Sequence, residues 1–200
     1  MFLETDPGLL VRRIAEHPFA VIAAVRDGRA LAVHSPVIPS GEGEDVRLRF
    51  HLSAANAVTA ALLDGSPALA VFTGPHAYIS PDWYGMDDQV PTWNYISVEA
   101  EGPVTRLDET DTRQFLHDLS VTFENALAPK PVWTPDKMTP ARMDALLRGI
   151  VAFDMVPTRL EGITKLNQNK PASARAGVAE NLEMTKSGVP IAAAMRRMDS

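Results

Sequence analysis

Apolar residues recur along this chain with two periods, and the points where the period changes divide it into elements. Leu9, Leu10 and Ile14 share one helical face behind Thr5 or Asp6 as N-cap, so the stretch TDPGLLVRRIAEHP predicts a short amphipathic helix that Pro18 closes. Phe19 to Val25 (FAVIAAV) is an apolar run too short for a typical helix. Asp27-Gly28 follows it, a hairpin signal that predicts strands at 19–26 and 29–34. Pro36, Pro39 and the GEGED loop are expected to interrupt the chain there. Val46, Leu48, Phe50 and Leu52 then alternate with Arg47, Arg49 and His51, the pattern of a strand with one wet face. Ala55 to Asp64 reads as helix, Gly65 to Pro67 as a break, and Ala68 to Phe72 as a buried strand. Thr92 to Ala100 opens another β-rich stretch, broken at Gly102-Pro103.

From Asp108 the period becomes helical, with Phe115, Leu119, Phe123 and Ala126 three or four residues apart behind an acidic first turn. A Pro-rich connection leads to a second helix at Thr139 to Arg148, then a strand at Ile150 to Val156. The end of the chain reads as helix from about Ala174 to Lys186, followed by a frayed terminus. Five or six strands joined by short turns, with few helices, predict an α+β fold that is mainly β: a barrel or strongly curled sheet with helices packed at its ends. A single domain is expected over 1–200, its C-terminal portion helical from about 174. A doubly wound parallel sheet is disfavoured, because a tight hairpin joins the first two strands.

Composition narrows the chemistry. The chain has no cysteine, which removes disulfides, thiolate metal sites and cysteine nucleophiles. No run approaches the roughly 20 apolar residues of a membrane span, and Met1 to Leu10 carries acids and no basic segment, so a cytoplasmic protein without membrane contact is expected. The net charge of −6 is unevenly placed: residues 1–158 hold 12 Lys or Arg against 21 Asp or Glu, and residues 159–200 hold 7 against 4. The acidic body argues against a broad nucleic-acid surface, and a basic tail fits a solvated helix, an anion site or a nucleic-acid arm.

Motifs for hydrolysis and nucleotide binding are missing: there is no GxSxG, HExxH, GxGxxG or GxxxxGK[ST]. The five histidines are scattered singly and give no metal spacing. Three other segments draw attention. Gly74 to Tyr95 holds all three tyrosines and two of the three tryptophans, which makes either a rigid corner of a core or a platform for a planar ligand. In HLSAAN, Ser53 and Asn56 stand at the start of a helix, where free N–H groups attract anions; the plainer reading is Ser53 as N-cap. In KLNQNKP, Asn167, Gln168 and Asn169 put three amides between Lys165 and Lys170, read either as a solvated turn or as a clamp on a heterocycle or phosphate. No Lys or Arg lies between Arg49 and Arg106, so an anionic ligand on the aromatic segment needs its countercharge from Arg47, Arg49 or the tail's Lys165, Lys170 and Arg175.

Taken together, GPHAYISPDWY, VPTWNYISVEAEG and KLNQNKP resemble the PaiB-like family of FMN-binding negative transcriptional regulators, in matching order over most of the chain. Asn167 departs from the family pattern, where serine is common, and so does Ala57, where proline is common. The resemblance implies an FMN-binding split β-barrel, the fold of pyridoxamine-phosphate oxidase-like flavoproteins, in a homodimer with flavin sites at the subunit interface. It implies that His51, Ser53 and Asn56 lie near the phosphate, that Trp83, Tyr84, Trp93 and Asn94 line the ring side or the dimer contact, and that Lys165, Gln168 and Asn169 complete the pocket. The expected function is a flavin-dependent redox or flavin-sensing role linked to negative transcriptional regulation. The alternatives are a DNA-binding repressor without redox activity, or a split barrel that takes haem, deazaflavin or pyridoxal phosphate. Direct DNA reading is disfavoured, since the loop between the helices at 108–127 and 139–148 far exceeds the short turn of a helix-turn-helix.

Overall fold

The computed structural model describes residues 2–198, Glu44 by its backbone alone. Among them are nine strands: β1 (Leu3–Glu4), β2 (Phe19–Arg26), β3 (Arg29–Ser40), β4 (Arg47–Ser53), β5 (Ala68–Ile79), β6 (Thr92–Gly102), β7 (Val104–Arg106), β8 (Ile150–Met155) and β9 (Arg159–Lys165). All their pairings are antiparallel, in the order β1-β9-β6-β5-β2-β3-β4-β8-β7. Six helices accompany them: α1 (Pro7–Glu16), α2 (Ala57–Leu63), α3 (Glu109–Asn125), α4 (Pro140–Leu147), α5 (Ala172–Glu183) and α6 (Val189–Met198).

Two bends close the sheet into a barrel. β3 does not stop at its prolines, as the sequence led us to expect; it runs through both and changes partner between them. Phe19 to Arg26 pair with Arg29 to Pro36, and Val37 to Ser40 pair with β4 instead. Proline is tolerated here because a strand that swaps neighbours has positions where its N–H would find no ladder partner. The second bend is Gly102-Pro103, which carries the chain from β6 into β7 and so to the far edge of the order, beside β8. The approach is tight: a Cβ on Gly102 would lie 2.3 Å from Val156 O, and Thr158 N donates to Glu101 O at 2.8 Å.

Inward residues of both bent halves form the barrel core, with Ile22, Leu48, Phe50, Phe72 and Phe153 at its centre. Leu10 and Ile14 of α1, capped by Asp6 and opened by Pro7, plug one end. A second core lies outside the barrel, where α5 and α6 cover the far halves of β5 and β6; Ile79, Tyr84, Leu166, Val178, Leu182 and Ile191 fill it. The terminal segment expected to fray is thus an ordered helix, α6, held by its apolar face. Strand β9 escaped the sequence pattern because its one fully buried position is Gly162, not an apolar side chain: a Cβ there would lie 2.6 Å from Leu10 Cδ2.

One irregularity decides what faces where. Between Thr73 and His76, β5 spends one residue more than β6 does between Ser97 and Tyr95, a bulge at Gly74-Pro75. Side chains alternate with period two, so one extra residue swaps the faces beyond it. Before the bulge Ala68, Ala70 and Phe72 point inward; after it Ala77 and Ile79 do, and His76 and Tyr78 are turned out.

Candidate functional site

The segment from Gly74 to Tyr95 is both a corner of a core and a surface. Tyr84, at the end of a single 3-10 turn over Pro81–Tyr84, is buried in the second core, and Trp83 packs against the same core half-buried. On the outer face, Trp93 stands opposite Tyr78, and Tyr95 opposite both His76 and Lys165. Trp93 is 53% exposed and Tyr78 48%, with ring centroids 6.1 Å apart edge to face, and the His76 ring lies 6.0 Å from that of Trp93. Asn94 has the opposite parity. It is fully buried, donates to Met195 Sδ at 3.6 Å, and its Oδ1 has no partner. Tyr78, Tyr95 and His76 therefore join Trp93 on the exposed face, whereas Tyr84 and Asn94 belong to the interior: alternation along β6 parts Asn94 from Trp93 and Tyr95, the bulge in β5 turns His76 and Tyr78 out, and Tyr84 sits on the turn beyond β5.

The amide run is a built turn more than an open clamp. Asn167 is buried with φ 64°, a left-handed conformation that asparagine tolerates better than most residues. Its Oδ1 accepts from Tyr84 Oη at 3.3 Å, and its Nδ2 is buried without a partner. Burial raises the Tyr84 phenol above its ordinary pKa, and the bond to Asn167 acts in the opposite direction. Gln168 folds back on its own strand, accepting from Leu166 N at 2.7 Å and donating to Thr164 O at 2.5 Å. Asn169 is exposed. Lys165, at the end of β9, donates to Thr92 Oγ1 at 2.6 Å, and Lys170 Nζ lies 5.1 Å from the Tyr84 ring centroid.

The third group is on β4. Asn56, not Ser53, caps α2, accepting from Val58 N at 2.8 Å; Ser53 Oγ accepts from Ala55 N at 3.4 Å. His51 and Arg49 lie on the outward face of β4, beside the Phe115 ring of α3, edge-on at 6.0 Å for His51 and at 5.9 Å for the guanidinium carbon of Arg49. Desolvation holds His51 below the usual imidazole pKa. Three buried polar atoms here lack partners: His51 Nδ1, Arg49 Nε and Asp154 Oδ1. Buried polar groups are nearly always paired, so the open Arg49 Nε leaves room for an acceptor, with His51 two residues along the same face and the Asp154 carboxylate, itself short of one partner, across from Arg49 on β8. Arg47 and Arg49 divide the local acids, pairing with Asp154 (2.5 Å) and Asp118 (3.4 Å).

Among the described residues no hydrogen bond, ion pair or ring contact joins the β4 group to the aromatic face or to the amide turn. Between Trp93 and the Gly102 bend, β6 runs roughly 30 Å at a rise of about 3.3 Å per residue.

A barrel closed by two bent strands, plugged by one helix and carrying an outward aromatic face defines a flavoprotein-type split barrel of the pyridoxamine-phosphate oxidase-like class. Comparison with known proteins agrees. The chain belongs to the family described as "Putative FMN-binding domain", which matches residues 1–159, and FMN is its cofactor. It is 27% identical over 170 residues to "Protease synthase and sporulation protein PAI 2" of Bacillus subtilis, covering 85% of this chain and 81% of that one. Among solved structures, the FAD and heme binding protein from Mycobacterium smegmatis has a TM-score of 0.62 at 19% identity, covering 90% of this chain and 80% of that one. The flavocytochrome Anf3 from Azotobacter vinelandii has a TM-score of 0.54 at 13% identity, covering 82% and 69%. At these identities the structures establish the fold. No helix among the described residues is long and apolar enough to cross a membrane, and no group of three or more His, Asp or Glu among them is arranged to hold a metal ion.

Proposed function

We propose that the protein binds FMN between two copies of itself and acts through that flavin, as a redox enzyme or as a sensor linked to negative transcriptional regulation. The observation that carries this reading is the separation of the two halves of the site. His51, Ser53 and Asn56 offer donors suited to a phosphate, and Trp93 with Tyr78 and Tyr95 offers flat surface suited to a ring system, but the two do not meet within one chain. A second copy that lays its aromatic face against the first copy's β4 brings them together, and it covers the exposed Trp93 and Tyr78, which a lone monomer leaves in water.

In this assembly the orphaned His51 Nδ1 and Arg49 Nε face the phosphate, and Lys165 adds charge at the ring edge. Gln168 holds the β9 terminus, and Asn169 supplies an exposed amide next to it. Trp83 buttresses the platform from behind through the second core. When bound, the isoalloxazine supplies the redox chemistry, and the protein supplies orientation and a water-poor setting. Regulation by direct DNA contact finds little support: residues 126–139 between α3 and α4 far exceed the turn of a helix-turn-helix, and the body of the chain is strongly acidic. The B. subtilis relative's name speaks of sporulation, and the regulatory half of the proposal rests on that likeness.

The test is direct. Added FMN should lose its fluorescence at one equivalent per chain, with the protein eluting as a dimer by light scattering. Unquenched FMN at concentrations far above the protein's would refute the reading. Ser53→Ala should weaken FMN more than riboflavin, since the phosphate is what it is assigned to, whereas Lys165→Ala, at the ring edge, should weaken both alike; the opposite pattern would remove each from its role.

A further inference from the structure

A cleft of about 950 Å³ opens between α1, the inner face of β6 and β9, and α6. Its walls are of two kinds. Ile96, Leu166, Pro190 and Ala193 supply apolar surface, and Arg12, Arg13, His17 and Arg197 bring basic groups from two helices, against a single acid, Glu16. Two polar atoms at this place are shut off from solvent and have no hydrogen-bond partner: Arg13 Nη1 and Thr164 Oγ1. Both come from cleft-lining residues, and both can donate. Both border the same strand: Thr164 follows Gly162 on one face of β9, and the missing side chain at Gly162 is what lets α1 lie against it; a Cβ there would stand 3.5 Å from Arg13 Nη1. Gly74 does the same for His17, whose ring carbon would lie 3.2 Å from an added Cβ.

An unpartnered buried guanidinium nitrogen is costly unless an acceptor completes it. Desolvation by burial is indeed the largest influence on Arg13, lowering its pKa, while the charges of Glu4 and Glu16 oppose it. We propose that this cleft binds a small amphipathic anion, an apolar body ending in one carboxylate, sulfonate or phosphate group, with the Arg13 guanidinium and the Thr164 hydroxyl turning to donate to the anionic end and Ile96 and Leu166 receiving the apolar one. Its volume falls in the range of small-molecule sites, roughly 300–1,000 Å³. The site is separate from the proposed flavin site: Ile96 and Thr164 lie on the inner face of the sheet, and Trp93, Tyr95 and Lys165 on the outer.

The experiment uses the full chain, apo and saturated with FMN, titrated calorimetrically with 8-anilinonaphthalene-1-sulfonate and with its uncharged counterpart N-phenyl-1-naphthylamine. One equivalent of the sulfonate should bind per chain whether or not FMN is present, about tenfold more weakly in Arg13→Met, as expected for loss of one charge-assisted hydrogen bond. Arg13→Met should leave the uncharged probe unaffected. Ala193→Phe, which fills the cleft without touching the charge, should weaken both probes, and it decides the matter if Arg13→Met melts early. Equal sulfonate affinity in wild type and variants, or displacement of the sulfonate by FMN, overturns the proposal. A protein that fails to bind FMN but passes the sulfonate test would refute the flavin reading and leave this one standing.

Discussion

His51 shows how much one residue's role depends on what covers it. Its outward position was legible, because Leu48, Phe50 and Leu52 alternate with it; that α3 would bring Phe115 edge-on to the ring was not, since that contact spans over sixty residues of chain. Burial lowers the pKa of this imidazole, so the unfolded chain takes up its proton near pH 6.5 and the folded chain only at lower pH. In that window the unfolded state holds more protons, and stability rises with pH. The contribution is fully present above about pH 6.5 and is lost as pH falls through the folded pKa. Melting temperature should therefore drop between pH 7 and pH 5, and His51→Gln should make the drop shallower; an identical profile in the variant would acquit the residue. A phosphate set against the ring reverses the shift, so FMN binding should take up a proton near neutral pH, riboflavin binding should not, and measuring the heat in two buffers of different ionisation enthalpy separates the two cases.

Among the elements, those with strong periodicity were readable and those shaped by a neighbour were not. α1 and the β2–β3 hairpin follow from Asp6, Pro7 and Asp27-Gly28, each a local signal. β9 was hidden because its buried position must be glycine to admit Leu10, and the outward turn of His76 and Tyr78 could not be read because the bulge that reverses parity within β5 leaves no mark in the alternation. Gly102 carries the heaviest steric demand of the barrel bends. Gly102→Ala places a methyl 2.3 Å from Val156 O, and overpacking of this kind costs about 1–3 kcal/mol, to be read as a lower urea midpoint with an unchanged slope. Inserting one alanine after Pro75, with the bulge kept, puts the new residue opposite Tyr95 and reverses the parity of everything beyond it, sending His76 and Tyr78 toward α5 and α6 and Ala77 and Ile79 to water. Hydrogen exchange should then show α5 and α6 loosened while the β2–β3–β4 ladder stays protected; equal loss in both would mean that the two cores are one cooperative unit.

For the molecule as a whole, the resemblance over three long segments made both fold and cofactor legible, whereas the placement of the site was not, because in the proposed assembly it depends on a surface shared with another copy. Trp93→Glu puts a charge in the middle of that surface while touching neither core. The variant should sediment as a monomer with an unchanged melting profile at low protein concentration, and it should bind FMN at least tenfold more weakly; a dimer of normal affinity would move the interface elsewhere. The ladder has a further consequence for how the chain is made. Leu3 pairs with Ile163, and β6 takes its second neighbour only from β9, so the sheet joins the first residues to a strand made late in the sequence. During synthesis every strand from β2 to β8 can find a partner before Arg159 has emerged, which leaves β1 unpaired and β6 with a bare edge from Tyr95 to Glu101 until the next few residues leave the ribosome. A chain stopped just short of β9 would keep that edge for good, a nearly complete barrel primed to recruit strands from its neighbours.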